Sequence, residues 1–320
     1  MTVPNASEES SGSEIKTGMD SELKKRIVSA IIMIFVTLLT AYWGNKPVAG
    51  IQWLQPFTIF WGIVSFIAFY ECLAMIGCRQ LWQILICGCI IIMFPIYLFL
   101  ATSSVPEGVM FIEDAINEMQ KPMAFLMPAS ILVAAFSGIL TYIAFKETRK
   151  TRFWMMIGLI YAMLLVVSIS YIRNAVNAGG IYIIWLFATV WVTDIAAFFT
   201  GRHFGGPKLC PRVSPKKTWS GFLGGLLFGT LAGILIFQIS SIFGRYPSSY
   251  FAYHFKFIIF YSLLGSFLCQ IGDLLESAVK RYFSVKDSSK LIPGHGGVLD
   301  RVDGLWATSL FFAIILFKNG

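Results

Sequence analysis

The sequence predicts an all-α, polytopic integral membrane protein of about nine transmembrane helices, with charged cytoplasmic loops forming its site. Three observations carry this reading. Of 320 residues, 57% are hydrophobic and only 13% charged, where a soluble domain carries about a quarter charged residues. Mean hydropathy is +0.72. Apolar runs of about 20 residues recur along the chain, the length that crosses a ~30 Å hydrocarbon core. Inside that core the backbone satisfies its polar groups by being helical.

Residues 1–23 are polar, Ser/Glu-rich and without periodicity, and read as a disordered cytoplasmic tail. No basic segment runs directly into an apolar core there, so the tail is no signal peptide. Met19 is a second plausible start, and Asn5-Ala6-Ser7 fits a glycosylation pattern that has no meaning on a cytosolic tail. Nine spans follow, at 27–43, 51–75, 81–101, 123–145, 153–172, 181–200, 219–243, 254–271 and 305–317. The first and last are short. Pro56, Pro95 and Pro128 fall inside spans and predict kinks. Residues 24–180 form an N-terminal transmembrane region, and 181–320 a catalytic region holding the loops 201–218 and 273–303.

The net charge of +8 is unevenly spread. With the N-terminus inside, nineteen of the 25 lysines and arginines fall on the cytoplasmic side, which is the orientation the positive-inside rule favours. The loop 102–122 agrees, since Glu107, Glu113, Asp114 and Glu118 face only Lys121. Nine spans then put the C-terminus outside, and both long charged loops face the cytoplasm, where nucleotides are. The six cysteines (Cys72, Cys78, Cys87, Cys89, Cys210 and Cys269) form no CxxC pair. Cys87-Gly88-Cys89 is too tight for the usual zinc spacing, so neither a disulfide framework nor a zinc site is expected.

The stretch from Asp273 to Asp303 crowds acids, bases and a Pro-Gly-His-Gly-Gly turn between two apolar segments. Asp273 and Glu276 lie three apart at a helix end and share one face, and Asp300 and Asp303 repeat the spacing before the last span. Two acidic pairs at a membrane edge need cations. Hard oxygen ligands without cysteine and with few histidines point to Mg²⁺ rather than zinc. The plainer alternative is pairing with Lys280, Arg281, Lys286 and Arg301.

Gly201 to Thr218 carries Arg202, Lys208, Arg212, Lys216 and Lys217 and no acid, which makes it an anion site. Ser214-Pro215-Lys216-Lys217-Thr218 precedes the Trp219 span, where hydroxyls, ammonium groups and helix N–H groups can meet phosphate. The alternative for Lys208 or Arg212 is a topology anchor. No Walker A pattern is present. Asp194 lies inside the sixth span, where an ionisable group is a functional candidate by default. Glu71 is a weaker case, read as hydrated near the cytoplasmic end of its span. His295 reads as a turn residue donating to phosphate or holding the loop, and His203 and His254 are assigned no role.

Ser277, Lys280-Arg281, Lys286-Asp287, Pro293, His295-Gly296-Gly297, Asp300-Arg301 and Asp303 together resemble the signature of the phosphatidate cytidylyltransferase (CDP-diacylglycerol synthase) family. Upstream, Asp194, Gly201-Arg202 and Ser214 to Thr218 resemble that family's second block. Ser220 stands where many members carry Glu. The resemblance covers roughly residues 191–304. It implies transfer of the cytidylyl group of CTP to phosphatidate, releasing pyrophosphate, with Mg²⁺ required and K⁺ the candidate second cation. By resemblance Asp273 and Asp300 are the first metal ligands, with Asp303, Asp194 and Glu276 behind them. Lys217 and Arg301 join Asp273 and Asp300 as catalytic candidates. Arg202, Ser214, Lys216, Thr218, Lys280, Arg281 and His295 are the substrate-binding ones. The resemblance also implies a homodimer, the short compact chain points to a bacterial inner (plasma) membrane, and membrane lipid but no nucleic acid is the expected partner. Two rivals stay open at this level: a CTP-dependent polyprenol or lipid kinase, and a transporter, although a transporter more typically shows inverted repeats and broken helices near the midplane.

Overall fold

The computed structural model describes residues 28, 31–32, 34–40, 56–78, 80, 83, 86–91, 129–173, 179–242, 248–292 and 296–319. The elements are α1 (Pro56–Ile76), α2 (Ala129–Ala144), α3 (Arg149–Arg173), α4 (Gly179–Phe204), β1 (Lys208–Cys210), β2 (Ser214–Thr218), α5 (Trp219–Ile242), α6 (Ser248–Tyr282) and α7 (Leu299–Asn319), with shorter helical stretches at 34–40 and 86–91. Among the described residues five helices, α1, α3, α4, α5 and α6, are long and apolar enough to cross a membrane. The chain is therefore a helical membrane protein. The tail 1–23 with Asn5 and Met19, the loop 102–122, Pro95 and Pro128 lie outside the described residues.

Two expectations change. The helices outrun the predicted spans: α4 continues to Phe204 and α6 to Tyr282, so Asp273, Glu276, Lys280 and Arg281 ride on one unbroken helix. Leu, Glu, Ala, Lys and Arg are good helix formers, so the hydrogen-bond ladder continues after the apolar run stops. The chain is also not wholly α, because β1 and β2 pair antiparallel with Lys208 opposite Thr218 and Cys210 opposite Ser214. Gly205 and Gly206 take positive φ of 61° and 96°. They end α4 with the Gly205 N–H on the Gly201 carbonyl at 3.1 Å, a left-handed cap that glycine makes without strain. Pro207 then prevents the helix from restarting.

Lipid tails are as apolar as leucine, so burying apolar side chains does little to drive helices together in a bilayer; close backbone approach and polar links do more. Gly221, Gly225, Gly229 and Gly233 form one buried face of α5. A Cβ on Gly221 would stand 2.6 Å from the Ala197 carbonyl, and one on Gly225 would stand 3.0 Å from the Thr193 carbonyl. Gly229 and Gly233 meet Thr193, Ser262 and Ser266 in the same way. This spacing was not singled out in the sequence. It makes α4 and α5 the most extensive helix pair among those described. Thr193 Oγ1 donates to Ser266 Oγ at 2.8 Å, Trp185 Nε1 to Ser262 Oγ at 2.9 Å, and Thr308 Oγ1 to the Gly265 carbonyl at 3.0 Å. On the other side, Ser168 and Ser309 share a hydrogen bond of 2.9 Å, and Tyr161 stacks on Trp306 at 4.8 Å. Each such interhelical hydrogen bond contributes about 0.6 kcal/mol.

Gly229→Val forces α5 away from both α4 and α6. The expected result is a melting temperature in detergent several degrees lower, from overpacking of about 1–3 kcal/mol. Leu231→Val, on the exposed face of the same helix, is expected to leave it unchanged.

Candidate active site at the charged ends of the helices

Three backbone devices bring the charged residues together. Thr218 ends β2 and caps α5, its Oγ1 accepting the Gly221 N–H at 3.2 Å, as a hydroxyl at an N-cap does. Lys217 is thereby held one residue before the cap. A Cβ on Gly201 would stand 2.8 Å from Thr218 Oγ1, so glycine lets α4 pass beside this cap. The Ser220 hydroxyl lies 3.0 Å from Thr218 Oγ1 and also donates to the Gly205 carbonyl, closing the hairpin onto α4. At the second crossing, a Cβ on Gly272 would lie 2.5 Å from the Asp303 carbonyl, and one on Gly304 would lie 2.6 Å from Cys269 Sγ. The two glycines let α6 and α7 touch right beside Asp273 and Asp303.

The result is a cavity of about 730 Å³ between α4, the hairpin, α6 and α7, a size suited to a nucleotide. Asp194, Asp273, Asp287, Asp300 and Asp303 line it against Arg202, Lys208, Lys216, Lys217, Lys280 and Arg301. Lys217 Nζ stands 2.6 Å from Asp273 Oδ2. Lys280 Nζ bridges Glu276 Oε2 at 2.5 Å and Asp300 Oδ1 at 2.7 Å. Asp300 also accepts the Ser288 N–H at 3.0 Å and the Gly297 N–H at 2.8 Å. Burial works to raise its pKa, but the hydrogen bonds from Lys280 and from the Gly297 and Ser288 amides hold the carboxyl below its ordinary value.

The cavity wall thus contains the four catalytic candidates Asp273, Asp300, Lys217 and Arg301, together with Asp194, Asp303, Arg202, Lys216, Thr218 and Lys280. Three candidates sit elsewhere. Glu276 is buried behind the wall on Lys280, and its Oε1 has no hydrogen-bond partner among the described residues. Ser214 opens β2 opposite Cys210, away from the cavity. Arg281 turns outward, its Nε on the Val213 carbonyl at 3.2 Å and its Nη1 on the Val285 carbonyl at 2.9 Å. It ties α6 to the hairpin turn. His295 lies outside the described residues. The cysteines are all free thiols.

Glu71 is not a hydrated group at a span end, as the sequence suggested. It is 1% exposed and accepts four hydrogen bonds: Ser289 Oγ at 2.6 Å and Val298 N at 3.0 Å on Oε1, Ser288 Oγ at 3.0 Å and Leu299 N at 2.7 Å on Oε2. The signal for it was a lone acid in an apolar helix, the same default that singled out Asp194. The turn's glycines follow from these carboxylates. Gly296 has φ of 81°, and a Cβ there would meet Asp300 Oδ2 at 2.5 Å; one on Gly297 would meet Glu71 Oε2 at 2.5 Å.

A sequence profile described as the cytidylyltransferase family matches residues 24–318. The phosphatidate cytidylyltransferase of Brucella suis biovar 1 is 36% identical over 289 residues, covering 90% of this chain and 91% of that one. The phosphatidate cytidylyltransferase of Bacillus subtilis (strain 168) is 30% identical over 305 residues, 93% of this chain and 99% of that one. That of Rickettsia bellii is 36% identical over 201 residues, 62% of this chain and 81% of that one. The chain belongs to the cytidylyltransferase family.

Gly297→Ala drives a methyl into the Ser288 hydroxyl and the Glu71 carboxylate. We expect turnover to fall about 10–100-fold, as when the groups supporting metal ligands are disturbed, with expression in the membrane fraction unchanged. Initial rates normalised to folded protein check this.

Proposed function

We propose that this chain transfers the cytidylyl group of CTP to phosphatidate, giving CDP-diacylglycerol and pyrophosphate. The observation that carries the reading is the cavity itself, where acids from α4, α6 and α7 face the lysines of the hairpin at the ends of apolar helices. A triphosphate and a phosphate monoester are both polyanions, and a site that binds them side by side needs many cations. The names of the relatives point the same way.

The carboxylates fit Mg²⁺. Asp194, Asp273, Asp300 and Asp303 offer hard oxygens on one cavity, and the buried Glu276 Oε1 has no hydrogen bond among the described residues. Among the described residues no group of three or more His, Cys, Asp or Glu is placed to hold a metal ion by itself, so Mg²⁺ here would take one or two carboxylates and complete its shell with water and substrate phosphates. Asp273 and Asp300 are the first candidates to hold it, then Asp303 and Asp194, with K⁺ as the candidate second cation. When bound, such an ion neutralises the developing charge on the phosphates.

The residues of the chain do the rest. An ionised phosphate oxygen of phosphatidate attacks the α-phosphorus of CTP. The new P–O bond forms as the bond to the β-phosphate bridging oxygen breaks, and pyrophosphate leaves in line. The attacking oxygen carries no proton when ionised, so no general base is required. Transfers of this kind rest on positioning and charge stabilisation more than on covalent help. Lys216, Lys217 and Arg301 hold the triphosphate and take up charge on the leaving pyrophosphate, with Arg202 beside them. Lys280 keeps Asp300 ionised and oriented. The nine-span arrangement, a cytoplasmic N-terminus, a bacterial plasma membrane and a homodimer belong to the same proposal.

The test uses purified protein in detergent with phosphatidate, Mg²⁺ and CTP labelled at either the α- or the γ-phosphate. We expect α-label in lipid and γ-label in pyrophosphate. Label from the γ-position in lipid would instead make the protein a kinase. Asp300→Asn is expected to reduce turnover by on the order of 10²-fold or more while the protein still inserts and folds. Lys217→Ala should raise KM for CTP more than KM for phosphatidate. An unchanged KM for CTP would reduce the hairpin to a topology anchor.

A further inference from the structure

We infer that Glu71, on α1, is a positioning residue for the reaction: it anchors Ser288, Ser289 and the first turn of α7, and so fixes where Asp300 stands. This rests on the cytidylyl-transfer reading only in taking Asp300 as part of the machinery.

The argument starts from the end of a helix. The first N–H groups of α7 have no partner within the helix, and such donors are usually met by Ser, Thr, Asn or Asp just upstream. Here Gly296, Gly297 and Val298 precede Leu299, and none can do so. The partner comes from 227 residues away, where both oxygens of Glu71 take the Val298 and Leu299 amides. A carboxylate at a helix N-terminus also sits favourably in the helix dipole.

The same side chain governs the loop. Ser289 donates to Glu71 at 2.6 Å, and the Ser288 hydroxyl lies between Glu71 Oε2 at 3.0 Å and Asp300 Oδ2 at 3.1 Å. The Ser288 amide donates to Asp300 as well. Ser288 is therefore a rigid link between a buried anchor and a residue of the cavity wall. Glu71 itself does not line the cavity, so it acts only through this link.

Gln at position 71 keeps the shape but not the chemistry. A carboxylate accepts on both oxygens, whereas an amide turns an NH₂ toward two of the four donors. The loop then loses one side of its anchor while the bundle keeps its packing.

The experiment compares full-length wild type, Glu71→Gln, Glu71→Asp and Ser168→Ala in detergent. Ser168→Ala removes an interhelical hydrogen bond far along α3 and serves as the control for general loosening. Two readouts are taken: hydrogen exchange of peptides covering 286–301, and kcat with KM for CTP and phosphatidate. Glu71→Gln should speed exchange at Val298 and Leu299 at least tenfold and lower kcat about 10–100-fold, with both KM values within about threefold. Ser168→Ala should leave both readouts as in wild type. Glu71→Asp, which restores the charge on a shorter arm, should recover part of kcat. Unchanged exchange in Glu71→Gln would overturn the anchor. So would faster exchange with kcat intact, since the loop would then not position Asp300. If Glu71→Gln does not fold, Ser289→Ala, at a residue that touches Glu71 but not Asp300, should show the same pair of effects at a few-fold scale; the absence of both effects would overturn the proposal. Absence of cytidylyl transfer in wild type, with exchange at 298–299 still faster in Glu71→Gln, would overturn the reaction and leave the anchor standing.

Discussion

A carboxylate enclosed by apolar helices must have its lone pairs filled, because a buried charge without partners costs several kcal/mol. Glu71 meets that requirement by gathering two serine hydroxyls and two backbone amides from a segment more than two hundred residues away. Asp300 meets it with Lys280 and two more amides of the same segment. Ser288, Ser289 and the stretch from Gly297 to Leu299 are folded around these two acids. Its glycine pair is explained by them too, since a side chain at 296 or 297 would occupy the space a carboxylate oxygen holds.

The charges of the cavity are arranged to be exchanged. Lys217 and Lys280 hold Asp273 and Asp300 at ion-pair distance, so the acids keep cationic company before any substrate arrives. Arg202, Lys208, Lys216 and Arg301 add positive charge around the same space. In a partly desolvated cavity such charges act more strongly than in bulk water. A site of this composition suits a reaction between two polyanions, where repulsion is the main obstacle. Because α4 and α6 run on past their apolar stretches, the charged wall stands at the ends of the spans. A lipid headgroup can reach it there while the acyl chains stay in the bilayer.

Close helix contact is what makes the cavity walls rigid. The glycine face of α5 against α4 and α6, and the Gly272–Gly304 crossing of α6 and α7, place backbones where side chains would otherwise separate them. The second crossing sets Asp273 and Asp303 near each other. Serine and threonine hydroxyls then link the helices across the same faces.

Composition and apolar periodicity were enough to read a helical membrane protein, and the clustering of acids, bases and glycines was enough to pick out residues that the fold gathers on one cavity. Those signals are local, so a single chain displays them. Ten of the candidate residues line one cavity, because acids and lysines that must compensate each other are also the conspicuous ones in an apolar sequence. Other features were not legible. Helix ends shifted because a hydrogen-bond ladder continues through polar residues, so α6 carried Asp273 and Lys280 on one rod. The basic loop became a hairpin because its pairing is between strands, which hydropathy does not register. Glu71 looked like an acid at a span end, and only the packing of α1 against the loop before α7 gave it four donors. That role arises from contacts between residues 71 and 288–299, and a relation over such a separation leaves no mark on either stretch alone.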